Sequence, residues 1–129
     1  MRIVSAGRYL SQQLYVQMRY TPDPRDYVNL IVAMSRVEEW NVCVCDLLRR
    51  MLISSLTSES YYLRLRTSLD IFRRIISSSS WMPSTVRNRE SILRLLEQVS
   101  KLRDSPHAAK LSEKILSEIS KRWRFASAS

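Results

Sequence analysis

An all-α fold, a compact helical bundle of about five helices with no sheet, follows from three features of the sequence. Apolar residues recur at steps of three and four along most of the chain, the period of a helix that buries one face. Leu, Arg, Glu, Lys and Gln dominate, and these residues lose little side-chain freedom in a helix. Glycine occurs once, as Gly7. A fold that needs glycine at many turns, bulges or close backbone approaches is therefore disfavoured, and glycine-rich phosphate-binding loops are excluded. With 129 residues, 45% of them hydrophobic, the chain is long enough to bury one substantial core. Antiparallel packing is expected, of either hand.

The elements follow in order. Residues 5–20 place Leu10, Leu14 and Met18 at i, i+4, i+8, a short amphipathic helix. TPDP at 21–24 stops it, because two prolines so close cannot continue a helix, and Asp23 or Asp26 can cap the next one. A long pattern then runs from Tyr27 through Ile31, Met34, Trp40, Val44 and Leu48 to about Ser55, with a break expected in the stretch Asn41–Cys45. TSES at 57–60 reads as a capping box for a helix carrying Tyr61, Leu65, Leu69, Phe72 and Ile76. SSSSWMPST at 77–85 is the clearest loop, Pro83 pushing Met82 away from helical geometry. A helix with Val86, Ile92, Leu96, Val99 and Leu102 follows, and RDSP breaks it. Ser105 and Pro106 then form a cap-and-proline entry to the last helix. There Ala108, Leu111, Ile115 and Ile119 form one stripe that Trp123 continues, so Trp123 is expected to pack inward against the 68–75 or 90–99 helix. The flanking Lys121, Arg122 and Arg124 suit a helix C-terminus without any phosphate.

The net charge is +9, and the stretch from Ser80 to Ser129 carries ten Lys/Arg against five Asp/Glu. Such a balance favours an acidic partner without choosing among nucleic acid, anionic lipid and acidic peptide. The first residues, MRIVSAGRYLSQQ, hold no continuous apolar run, so no secretory signal is expected. No segment approaches the roughly 18 apolar residues of a membrane span. Cys43 and Cys45 would point about 200° apart on a helix, which disfavours a disulfide between them. With the single His107 far away in sequence, no metal set and no cofactor are expected. No catalytic constellation is found either. His107 reads as a surface or capping residue, Glu38 and Glu39 as a solvated face, and Glu118 with Arg122 as an i,i+4 ion pair.

Several motifs carry a resemblance. LRRMLISSL closes one helix, and SLDIFRRI fills the next with a central Leu-Asp pair. ESILRLLEQVSKLR ends in Val-x-x-Leu-Arg, and KLSEKILSEISKRWR closes the chain with Ile119 at a leucine-type position before Trp123-Arg124. In this order residues 43–125 resemble the TFIIS N-terminal (LW) domain family, closest in pattern to its integrase-binding-domain and Iws-type branch. Arg94-Leu95-Leu96 stands where TFIIS itself has a Gly-Ile-Gly turn, and Ser120 where many members are apolar. The resemblance implies a bundle over 43–125, with residues 1–42 as extra helices packed on it and 126–129 as a disordered tail. It further implies a monomeric, nuclear, non-enzymatic adaptor of the transcription elongation or chromatin machinery. Such domains bind short linear motifs of disordered proteins at one end of the bundle, and the matching positions here are Ser58, Glu59, Lys101, Leu102 and Arg103. Glu97, Gln98 and Ser100 replace basic residues that other members use toward acidic ligands.

Two other function classes compete. Arg87, Arg94 and Lys101 fall near one helix face, and with Arg89 and Arg103 they could form a nucleic-acid surface, although no aromatic residues interleave with them. The remaining class is a helical scaffold or oligomer whose basic charge is incidental.

Overall fold

The computed structural model describes residues 2–20, 27–57, 61–78 and 80–128. Among these the chain is all-helical, with six α-helices rather than about five: α1 (Arg2–Tyr20), α2 (Val28–Ser35), α3 (Asn41–Thr57), α4 (Tyr61–Ser78), α5 (Val86–Ser100) and α6 (Pro106–Ala128). A single 3₁₀ turn, Glu38–Trp40, stands between α2 and α3.

The extra helix arises because the long pattern after Tyr27 breaks earlier than expected. Ser35 Oγ donates to Val32 O at 2.6 Å, while the Arg36 and Val37 amides bond back three residues, to Ala33 O and Met34 O. A hydroxyl competing for the backbone and a tightened last turn both end helices. Val37 then turns extended (φ −92°, ψ 112°). The β-branched stretch Asn41–Cys45, where a break was expected, is helical. Val44 and Cys45 are both buried there, and packing outweighs their weak helix preference. The Asn41 side chain also pins the start of α3 to the distant serine-rich loop: its Nδ2 donates to Met82 O and its Oδ1 accepts from the Ser84 amide, both at 2.8 Å.

The remaining boundaries are local. Thr57 Oγ1 donates back to Ile53 O at 3.2 Å and so belongs to the end of α3; the rest of the TSES box, 58–60, lies outside the described residues, as do Asp23 and Asp26. Thr85 caps α5 by accepting from the Asn88 amide. Pro106 opens α6, where its missing N–H removes only a donor that would have had no helical partner. α6 continues to Ala128, into the stretch expected as a disordered tail.

One hydrophobic cluster joins all six helices: Leu14 of α1 and Val28, Ile31 and Met34 of α2 share it with Leu48, Leu69, Leu96 and Trp123. The boundary between residues 42 and 43 suggested by the sequence falls inside α3. Along α1 and residues 40–50, the 3₁₀ turn's last residue and the start of α3, three pairs come together, Gly7 with Trp40, Arg8 with Cys43 across one cleft, and Tyr15 with Arg50. Their sequence offset is nearly constant, so the two helices run in the same direction.

Gly7 lies inside α1 and has no positive φ; its role is the close approach to Trp40. A Cβ added there would stand 2.5 Å from Trp40 Cδ1. Replacing an ordinary helix-interior glycine by alanine stabilises by about 1 kcal/mol. Gly7→Ala is expected to forfeit that gain and lower the unfolding temperature, because the indole must move; a rise in unfolding temperature would show that Trp40 is not held against α1.

Candidate functional site

Trp123 is fully buried, with no exposed surface. It sits beside Phe72 of α4 (ring centroids 6.1 Å apart, tilted) and Trp81 of the α4–α5 loop (6.2 Å, edge-on). Both spacings fall in the range where aromatic pairs attract. Ile119, one turn earlier, is also buried, and Ser112 Oγ donates to Leu96 O at 2.6 Å, clamping α6 onto α5. The indole is therefore a wall of the core and has no face to offer a base.

Three of the matched peptide-site positions, Lys101, Leu102 and Arg103, lie on the short connection between α5 and α6. Lys101 is the C-cap of α5, its amide bonded to Gln98 O and Val99 O, and its side chain is exposed. Leu102 is half-buried against the core, its amide bonded to Val99 O. Arg103 is exposed. This puts an apolar shoulder between two cations at one turn. Ser58 and Glu59 lie outside the described residues.

The basic positions divide. Arg87, Arg94 and Lys101 are all exposed, at heptad steps that keep them on the outward face of α5. Arg89 is a loop staple instead: its Nε donates to Pro83 O at 2.8 Å. Arg124 pairs with Glu97 at 3.2 Å. Glu118 and Arg122, expected as a pair, make no ion pair with each other; at the exposed surface such a pair adds little in any case.

A second concavity was not foreseen from the sequence. A cleft of about 520 Å³ runs between α1 and α3, walled by Arg8 and Gln12 on one side and by Val42, Cys43, Asp46 and Arg50 on the other. The Arg50 guanidinium lies 5.9 Å from the centre of the Tyr15 ring. The only sequence trace of this cleft is the polar spacing of Arg8 and Gln12 on the helix face next to the one bearing Leu14.

Cys43 and Cys45 are free and buried. Burial pushes the Cys43 thiol up, partly opposed by Arg8. Burial and the Asp46 carboxylate push Cys45 up to about 12, from an ordinary value of about 9. A thiol whose pKa rises on folding contributes its stabilisation below the unfolded value and loses it as pH climbs through the folded one. Cys45→Ala is thus expected to flatten the alkaline loss of stability between about pH 9 and pH 12. Neither thiol of the native protein should react with iodoacetamide near pH 8, since the thiolate is the nucleophile; stoichiometric labelling under those conditions would contradict the burial.

Among the described residues no group of His, Cys, Asp and Glu could hold a metal ion, and no helix is long and apolar enough to cross a membrane. No family model, curated protein or solved structure matches the chain.

Proposed function

We propose that the chain is a non-enzymatic interaction adaptor that binds short, disordered peptide motifs at the α5–α6 end of its bundle. The observation that carries this reading is the complete burial of Trp123 between Phe72 and Trp81. It removes the strongest candidate for base stacking, and it leaves the Lys101–Leu102–Arg103 turn as a cation-flanked apolar shoulder. The resemblance in motif order adds the setting: a monomer of the nuclear transcription elongation or chromatin machinery, whose ligands are linear motifs of disordered partners.

The energetics favour modest affinity. Burying one aromatic anchor supplies about 2–3 kcal/mol, against about 8 kcal/mol for micromolar binding. Backbone hydrogen bonds and the two cations must supply the difference, less the entropy of ordering the ligand. Titration of an acidic, Phe-containing peptide, followed by amide chemical shifts, tests the site: shifts confined to 57–60 and 99–106, saturating in the micromolar range, are expected. Shifts absent from both stretches would refute it.

A second reading rests on one observation, the exposure of Arg87, Arg94 and Lys101 on a single face. A phosphate backbone could lie along it. With Phe72, Trp81 and Trp123 all in the core, the stacking residues common in single-strand binders are not on offer from these rings.

A further inference from the structure

We propose that the outer face of α1 and α3 pairs with the same face of a second copy of this chain, antiparallel about a two-fold axis. Four of the six large apolar side chains exposed among the described residues stand on these two helices: Tyr9 and Val16 on α1 (66% and 43% exposed), Val42 and Ile53 on α3 (49% and 46%). None of the four belongs to the core cluster. On α3, Val42, Asp46, Arg49 and Ile53 follow at i, i+4, i+7 and i+11, a stripe within about 60° of arc, on the side away from the buried Val44, Leu48 and Met51. On α1, Tyr9 and Val16 lie three residues before and four residues after Gln12, so the three share a face. Val42, Asp46 and Gln12 all line the cleft between the helices, which sets both exposed groups around one groove.

The order of these side chains names the occupant. A two-fold contact sets residue i against j and j against i. In the antiparallel register centred between Leu47 and Leu48, Val42 meets the partner's Ile53 and Asp46 meets the partner's Arg49, and each pair occurs twice. A parallel two-fold pairing would set Asp46 against Asp46 and Arg49 against Arg49. The α1 pattern is symmetric about the same level. Arg8 faces Cys43 across the cleft and Tyr15 lies beside Arg50, the same offset of 35 residues in both. The point between Gln12 and Gln13 is therefore level with the point between Leu47 and Leu48. One axis then also sets Tyr9 against the partner's Val16, and the Gln12 amide against the partner's Gln13, donor to acceptor. Arg8 falls opposite the neutral Gln17.

Asp46 keeps its own Arg49 at 3.5 Å and gains the partner's, so four charges alternate in sign around the axis. A groove that carries cations and carboxylates together meets like charge in a ligand of either sign, whereas a rotated copy presents Arg49 to Asp46 and Asp46 to Arg49. Two helices about 10 Å apart over the 19 residues of α1, about 28 Å, offer about 1,100 Å² from both copies together. That lies near the lower bound of about 1,200 Å² for specific interfaces. The pairing is accordingly reversible, and the monomer prevails in dilute solution. It does not depend on the α5–α6 site.

Sedimentation of the full chain from about 10 μM to about 1 mM tests the pairing, with amide shifts recorded over the same range. The mass should rise toward a dimer, and the shifts should centre on residues 9–16 and 42–53. Asp46→Arg and Arg49→Asp each place like charges opposite one another and should each weaken self-association by about tenfold or more. Mixed in equal amounts the two variants should associate again, since each then meets the opposite sign, and that recovery also shows that both retain the fold. A monomer mass at every concentration, self-association that both variants leave unchanged, or a mixture no heavier than its components would each overturn the pairing. Peptide-induced shifts at residues 99–106 in either variant would show that the α5–α6 site stands apart from that result.

Discussion

Trp123→Ala lowers the unfolding free energy by about 3–5 kcal/mol, the cost of emptying a large aromatic site in a core that collapses only partly around it. The unfolding temperature falls by about 10 °C or more. The indole touches α4 through Phe72 and the α4–α5 loop through Trp81, so its loss loosens three segments at once. For the same reason Phe72→Ala and Trp123→Ala should not be additive: residues in contact share their loss, typically by about 0.5–3 kcal/mol in a double-mutant cycle, and a coupling of that size is expected here. An unchanged unfolding temperature with lost oligonucleotide binding would place the indole outside the core and favour the nucleic-acid reading.

Ile31→Ala costs about 2–5 kcal/mol, although Ile31 sits on the short α2, outside residues 43–125. Ile31 has no exposed surface and belongs to the same cluster as Trp123. The loss should therefore shift one cooperative transition of the whole chain, seen alike by far-UV circular dichroism and by tryptophan fluorescence. Two separated transitions, with only the first moved, would mean that the N-terminal helices fold as an appendage.

The parts of this fold that were legible in the sequence are those written in the helical period. The stripe through Leu111, Ile115, Ile119 and Trp123 points at the core, and the structure buries Ile115, Ile119 and Trp123 while half-burying Leu111. The proline entry at Pro106 is local chemistry and lies where α6 begins, whereas the hydroxyl of Ser105, expected as its cap, is buried among the described residues with no hydrogen-bond partner. Periodicity could not give the features set by distant contacts. The break falls at Arg36–Val37 because Ser35 turns its hydroxyl on its own backbone, and α3 starts at Asn41, whose amide has partners in the 82–84 loop. Local preference for β-branched residues pointed a few residues too late.

The candidate sites divide in the same way. Lys101, Leu102 and Arg103 are adjacent in sequence, so their grouping needed no tertiary structure. The α1–α3 cleft joins Arg8 to residues beyond Glu39, and nothing in the spacing of either segment announces the other. Arg89 shows the converse. It reads as one more cation in a basic run, yet its guanidinium is committed to Pro83 O, so counting charges overstates the surface available to phosphate.

The most direct test of the adaptor reading is fluorescence anisotropy with two labelled ligands, an acidic Phe-containing peptide and a single-stranded oligonucleotide, each titrated with the full chain over a range of salt concentrations. The adaptor reading predicts micromolar peptide binding that weakens only gently with salt, with the oligonucleotide bound more weakly throughout. Tighter oligonucleotide binding, falling steeply and linearly in log K against log salt and lost in an Arg87→Ala, Arg94→Ala variant, would contradict it.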